Sequence, residues 1–283
     1  MFNVEIICFG NELLIGKTVN TNASWLGEKL VSLGGKVTRV TTIGDSLEEM
    51  IEIVKEVIER KPDVIITTGG MGPTFDDVSL IAIAKATNIE LKLNQDAIKL
   101  IKQRFEVIKN QRGIELELSE ERMQMANLPI GATPLRNRSG TAPGVFLEYS
   151  NIKIFVLPGV PKEMKSIFDH EIIQFLPKDP NFQYIEKSLN VFYIPESELA
   201  KAISTIRLKY PKVYFKTHPH TYTSKTGKIE VEIHLTFLGT PEESKILDKI
   251  EGELIKLIEQ LKGAKGEQPI IEKKSLKEST GEN

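Results

Sequence analysis

The sequence predicts an α/β protein, a doubly wound three-layer α/β/α domain followed by a small α+β domain. Three observations carry that reading. Short apolar runs alternate with amphipathic helical patterns through the first part of the chain, and glycine-rich loops stand where runs hand over to helices. The stretch Pro177-Lys178-Asp179-Pro180-Asn181 then interrupts both periodicities.

Taken in order, Val4 to Phe9 is a short apolar run closed by Gly10, as for a buried strand. From Asn22 the apolar positions Ala23, Leu26, Leu30 and Leu33 recur at helical spacing. A second strand is expected over Val37 to Ile43. Ser46-Leu47-Glu48-Glu49 has the pattern of a capping box, and Leu47, Met50, Ile51, Val54 and Ile58 share one helix face behind it. Asp63 to Thr68 reads as a third strand running into Gly69-Gly70, with Asp76 or Asp77 capping a helix through Ala86. Asn94 to Asn110 is helical, Val145–Tyr149 and Ile152–Leu157 form a hairpin about Ser150-Asn151, and a last helix spans Pro161 to Leu176. The second unit reads strand (Glu186 to Ile194), helix (Glu196 to Tyr210), strand (Val213 to Lys216), strand (Lys228 to Leu238) and helix (Pro241 to Leu261). The expected domains are 1–177 and 184–262, and the polar, lysine-rich residues 263–283 read as a disordered tail.

Composition excludes several classes. A formal charge of −2 and a pI near 6.2 give no general attraction to nucleic acid or anionic lipid. The single cysteine, Cys8, lies in an apolar run and reads as a buried thiol. No run approaches the roughly 20 apolar residues of a membrane span, and the start lacks a signal peptide's pattern, so the cytoplasm is the expected compartment. His218 and His220 have no cysteine near them in sequence, and no serine sits in a Gly-x-Ser-x-Gly elbow.

The chemistry is concentrated in loops. Thr67-Thr68-Gly69-Gly70-Met71-Gly72-Pro73-Thr74-Phe75-Asp76-Asp77 joins a buried strand to a helix, so backbone can approach a ligand closely and a helix start can meet an anion. Carboxylates at Asp76 and Asp77 would repel that anion unless a divalent cation intervened, and their hard oxygens suit magnesium or manganese. Gly10-Asn11-Glu12 through Lys17 also leaves a strand end, placing Glu12 as a further acid and Lys17 as a phosphate-binding cation. Ser139-Gly140-Thr141-Ala142-Pro143-Gly144 and Leu157-Pro158-Gly159-Val160-Pro161-Lys162-Glu163 supply walls of one pocket, although tight turns explain their glycines and prolines equally well.

Together, Gly10 to Asn22, the Thr-Thr-Gly-Gly-Met-Gly-Pro-Thr-Phe-Asp-Asp run, Ser-Gly-Thr-Ala-Pro-Gly and Leu-Pro-Gly-Val-Pro-Lys-Glu-Met resemble the N-terminal part of the CinA family, a domain similar to MoaB and MogA. Pro195-Glu196-Ser197-Glu198-Leu199 and Lys216-Thr217-His218-Pro219-His220 resemble the small KH-like domain that follows in those proteins. The resemblance implies important acids at Asp77 and Asp45, a homodimer, and metal-dependent hydrolysis of ADP-ribose to AMP and ribose 5-phosphate. It equally implies an alternative, molybdopterin binding or adenylation in molybdenum cofactor biosynthesis. Beyond Gly263 only about twenty residues follow, so the deamidase activity of longer CinA proteins is not expected. The second unit shows no Gly-x-x-Gly clamp, which argues against RNA binding.

The leading expectation is therefore a nucleotide pyrophosphatase. Asp76, Asp77 and Glu12 hold a magnesium, manganese or cobalt ion. Asp45 assists. Gly10, Asn11, Lys17, Asn22, Thr68, Gly69, Gly70, Gly72, Thr74, Ser139, Gly140, Thr141, Pro158, Gly159 and Lys162 bind the substrate. A pterin-handling protein and a non-enzymatic ligand-sensing or assembly module are the alternatives.

Overall fold

A computed structural model describes residues 1–177, 183–220, 229–263 and 266–274. The break at 178–181, the start of the strand expected at Lys228 and the end of the tail lie outside them. The chain forms two compact units, residues 1–31 with 35–178, and 32–34 with 179–283.

In the first unit the elements run β1 (Phe2–Phe9), α1 (Asn11–Leu14), α2 (Thr21–Ser32), β2 (Gly35–Ile43), α3 (Leu47–Glu59), β3 (Val64–Thr68), α4 (Ser79–Thr87), β4 (Leu91–Leu93), α5 (Gln95–Arg112), α6 (Glu120–Met123), β5 (Asn127–Pro129), β6 (Thr133–Leu135), β7 (Gly144–Tyr149), β8 (Ile152–Leu157) and α7 (Pro161–Ile167). The main sheet has the order β2-β1-β3-β8-β7-β6. β2, β1, β3 and β8 are parallel; the hairpin makes β7 antiparallel to β8, and β6 pairs antiparallel to β7 at the sheet edge. The Ser150-Asn151 turn takes φ of 50° and 66°, the positive pair that a tight hairpin requires.

Successive side chains of each strand point to opposite faces of the sheet. Ile7, Phe9, Ile65, Ile154 and Val156 pack with Met50, Val54 and Val57 of α3 and Ile101 and Phe105 of α5. The alternate residues Val4, Ile6, Cys8, Val64, Ile66, Phe155 and Leu157 are also buried, as are Leu26 and Leu30 of α2 and Met164 and Ile167 of α7. Both sheet faces are therefore covered, which makes the three layers. Helix starts follow local chemistry where a cap is available: Ser46 Oγ accepts from Glu49 N at 3.4 Å, and Asn94 Oδ1 from Ala97 N at 2.9 Å.

Two expectations are corrected here. α4 begins at Ser79 after Val78, with no side-chain cap, because Asp76 and Asp77 turn back onto Thr74. The helix expected over 161–176 is α-helical only to Ile167; a π-helical turn (Phe168–Ile172) and a 3₁₀ turn (Ile173–Phe175) follow. The wider turn keeps Phe168 and Ile172 buried, with Phe168 edge-on to Trp25 at 5.4 Å.

The second unit contains β9 (Gln183–Phe192), α8 (Glu196–Lys209), β10 (Val213–His220), β11 (Glu230–Gly239), α9 (Pro241–Ser244), α10 (Ile246–Ile258) and β12 (Ile270–Lys274). Its sheet is antiparallel, ordered β10-β11-β9-β12. Leu189, Val191, Ile233 and Leu235 bury one face against Leu199, Ile203, Leu247, Ile250 and Leu254 of the helices. Over Ile270–Lys274, β12 corrects the expectation of a disordered tail. It pairs with β9, while Lys273 and Lys274 reach Glu251 at 3.2 Å and Glu232 at 2.9 Å. A lysine-bearing strand at a sheet edge has the composition of a tail, because its outer side faces water.

Candidate functional site

Three parallel strands end close together and make the floor of a cleft. Gly69 leaves β3 with φ +101°, and a Cβ there would stand 2.5 Å from the carbonyl oxygen of Phe9 at the end of β1. Gly159, beyond β8, lies against Gly69, whose Cα would be 3.3 Å from a Cβ added at 159. Glycine is required at 69 for conformation and for space alike. Above this floor lies a cleft of about 520 Å³, at the carboxyl ends of parallel strands where open α/β sheets place ligands.

The cleft gathers Gly10, Glu12, Asp45, Gly69, Gly70, Gly72, Asp76, Asp77, Thr141, Pro158 and Gly159 from five loops far apart in sequence. Each acid is held. Asp45 Oδ2 accepts from Asn11 N at 2.9 Å while Asp45 N donates to Asn11 Oδ1 at 3.4 Å, tying the loop after β1 to the loop after β2. Asp77 Oδ2 accepts from Thr74 N at 2.9 Å and from Thr74 Oγ1 at 2.5 Å, and Asp76 Oδ1 meets the same hydroxyl. One hydroxyl carries one hydrogen, so it donates to one of these carboxylates at a time. Gln124 braces this loop from a distant segment, its Nε2 donating to Gly72 O at 3.2 Å and Thr74 O at 3.1 Å.

The acids also share a mode of seating. An added Cβ would fall 2.6 Å from Glu12 Oε1 at Gly10, 2.5 Å from Asp77 Oδ2 at Gly72 and 1.9 Å from Glu163 Oε2 at Gly140. Three carboxylates of the cleft thus each rest on the bare Cα of a glycine.

A recess of about 80 Å³ lies beside Glu12, bordered by Asn22, Thr68 and Gly159. Asn22 is buried; its Nδ2 donates to Gly159 O at 2.8 Å, and its Oδ1 has no hydrogen-bond partner among the described residues. Ser139 and Gly140 stand behind the cleft wall, where their N–H groups donate to Asn137 Oδ1. Lys17 and Lys162 are exposed and do not line the cleft, so the phosphate-binding role expected of them is not supported by their placement. A lysine in the first turn of α7 has a flexible stem and extends to solvent, while its neighbour Glu163 turns inward.

Sequence reasoning missed Met125, Gln124 and Asn137, and it gave Met71 and Glu163 no role although both lie in segments it singled out. Glu163 closes a wall segment but was given no role of its own, because an acid in the first turn of a helix reads as a partner for the helix dipole. Among the described residues no group of three His, Cys, Asp or Glu is arranged to hold a metal ion; Glu12 shares the cleft with Asp76 and Asp77 but rests on Gly10. The acids Glu12, Asp45, Asp76, Asp77 and Glu163 line the cleft, and no lysine or arginine among the described residues does.

Fold and cleft together define an α/β small-molecule-binding domain. Residues 5–178 match the family described as a probable molybdopterin binding domain, and the chain belongs to that family. It is similar to a protein of Saccharolobus islandicus, 40% identical over 260 residues, which are 92% of this chain and 95% of that one. A protein of Sulfolobus acidocaldarius is 38% identical over 91% of this chain and 93% of its own. Among solved structures, the protein CinA with unknown function from Thermoplasma acidophilum is 34% identical, with a TM-score of 0.55, and matches 62% of this chain and 99% of its own. The chain is thus CinA-like, with a first domain of the probable molybdopterin binding family. No helix among the described residues is long and apolar enough to cross a membrane.

Proposed function

We propose that the cleft of the first unit binds the ring of a pterin of the molybdopterin type. One observation carries this reading: the lining is rich in fixed carboxylate acceptors and, among the described residues, holds no lysine or arginine. A pterin ring presents an amino group and ring N–H donors, which carboxylates accept as charge-assisted hydrogen bonds. A bare pyrophosphate offers only acceptors and negative charge, which these acids repel. Membership of the probable molybdopterin binding family supports the same ranking, which places pterin binding above the nucleotide pyrophosphatase expected first.

A second reading keeps a nucleotide in the cleft, for adenylation of the pterin or hydrolysis of a dinucleotide such as ADP-ribose. It is favoured by the convergence of Asp76 and Asp77 on the Thr74 hydroxyl, a hard oxygen pair that fits magnesium, manganese or cobalt. Such an ion, when bound, would neutralise phosphate charge and lower the pKa of bound water. In this reading Asp76 and Asp77 hold the ion, with Glu12 from the same cleft. Thr74 orients the pair through its single hydroxyl.

Titration calorimetry with molybdopterin, beside mass-resolved assays of ADP-ribose and FAD with each cation, separates the readings. Pterin binding that Asp77→Ala abolishes, without AMP release, is the expected result. Cation-dependent AMP release from a protein that binds no pterin would reverse the ranking. Sedimentation of the full chain tests the dimer that the family resemblance implies.

A further inference from the structure

We infer that Glu163 contacts the ligand, and that Asn137 and Gly140 are the positioning residues that aim its carboxylate. This rests on the pterin reading and names the group of the ligand that the wall receives. Asn137 is buried, and its carboxamide is fully committed. Oδ1 accepts from Ser139 N at 2.9 Å and Gly140 N at 2.8 Å, while Nδ2 donates to Ala142 O at 2.8 Å and Glu163 Oε2 at 2.7 Å. Turning the amide over would set its NH2 against two N–H groups, so its orientation is fixed by its partners. One side chain therefore shapes the turn that carries Thr141 and directs Glu163 on α7, 26 residues away in sequence.

Gly140 completes the seat. Its φ is ordinary, so backbone freedom does not explain the glycine; space does, since an added Cβ would lie 1.9 Å from Glu163 Oε2 and 2.3 Å from Oε1. A methyl group at this position would evict the carboxylate, the flexible end of a side chain, and leave the backbone where it is. Glu163 keeps acceptor capacity beyond the bond from Asn137, because an ionised carboxylate has about four lone-pair sites. The complementary ligand group is a pair of parallel N–H donors, as on the amino-pyrimidinone edge of a pterin.

Molybdopterin titrations of the full chain test the assignment. Glu163→Gln and Gly140→Ala are each expected to weaken binding by about ten- to a hundredfold, the worth of a hydrogen bond to a charged group. Melting temperatures stay near wild type. The double variant should bind no more weakly than Glu163→Gln alone, because both changes remove one contact. Wild-type affinity in Glu163→Gln, or additive losses in the double variant, would overturn the inference.

A ligand-free measurement separates its failure from that of the pterin reading. Asn137→Asp keeps the acceptor for Ser139 and Gly140 but replaces the NH2 facing Glu163 with a second carboxylate oxygen. The ¹³C-detected titration midpoint of Glu163 should rise in that variant. An unchanged midpoint overturns the positioning role whatever the ligand. A raised midpoint in a protein whose wild type binds no pterin refutes the pterin reading and leaves the positioning intact.

Discussion

At the scale of single residues, glycines of this cleft serve two purposes. Gly69 is where three strand ends crowd, and both its φ of +101° and the 2.5 Å approach to the Phe9 carbonyl oppose a side chain. The clash is with backbone, which cannot step aside. Gly69→Ala should therefore cost at least the roughly 1–3 kcal/mol of a strained backbone position, read as a lower midpoint in urea unfolding. Gly72 and Gly140 differ, because their φ is ordinary and what they would strike is the tip of a carboxylate side chain. Their substitution is expected to change ligand binding before it changes stability. The glycine-rich loops were legible in the sequence, but their second purpose was not, since a carboxylate contact between residues as far apart in the chain as Gly140 and Glu163 leaves no local pattern.

At the scale of elements, β12 shows how composition misleads. Ile270–Lys274 sits among polar and charged residues, yet it extends the second sheet through β9 and sends Lys274 to Glu232. Burial pushes the Glu232 carboxyl up, but hydrogen bonds from Ser188 and Lys274 and the charge of His234 outweigh it and hold the group down at about 2. A depressed carboxyl stabilises the fold above its ordinary value of 4.5 and loses that contribution as pH falls toward 2. Glu232→Gln should thus cost on the order of 3 kcal/mol at pH 6, with the deficit shrinking between about pH 4.5 and 2. Urea unfolding of both proteins across that range checks it; a deficit independent of pH would refute the account. Elsewhere the regular elements were legible from periodicity, as for α3, whose apolar face Met50, Val54 and Val57 is buried. The π-helical turn at Phe168–Ile172 was not, because its residues keep a helical pattern while packing chooses the wider turn.

At the scale of the molecule, the two units have separate apolar cores. One is built around Ile7, Ile65 and Ile154, the other around Leu189, Ile233, Leu247, Ile250 and Leu254. Each core is formed within its own unit. Residues 1–177 expressed alone should accordingly give a cooperative thermal transition and bind pterin as the full chain does. A fragment that aggregates, or that folds and loses binding, would show that the first unit depends on the rest.

The sequence by itself determined the class of the longer periodic elements, the alternation that makes an α/β sheet, and the loops in which ligand chemistry would be found. Those properties are local: side-chain period, β-branched content and glycine at strand ends act over a few residues. Only the tertiary structure decided which acids meet. It brought Glu12, Asp45, Asp77 and Glu163 to one cleft, left Lys17 and Lys162 in solvent, and placed Asn137 behind Glu163. The reason is physical. Which loops converge depends on strand order, and the order β2-β1-β3-β8 arises from packing both sheet faces at once, a condition on the whole domain that no segment carries alone.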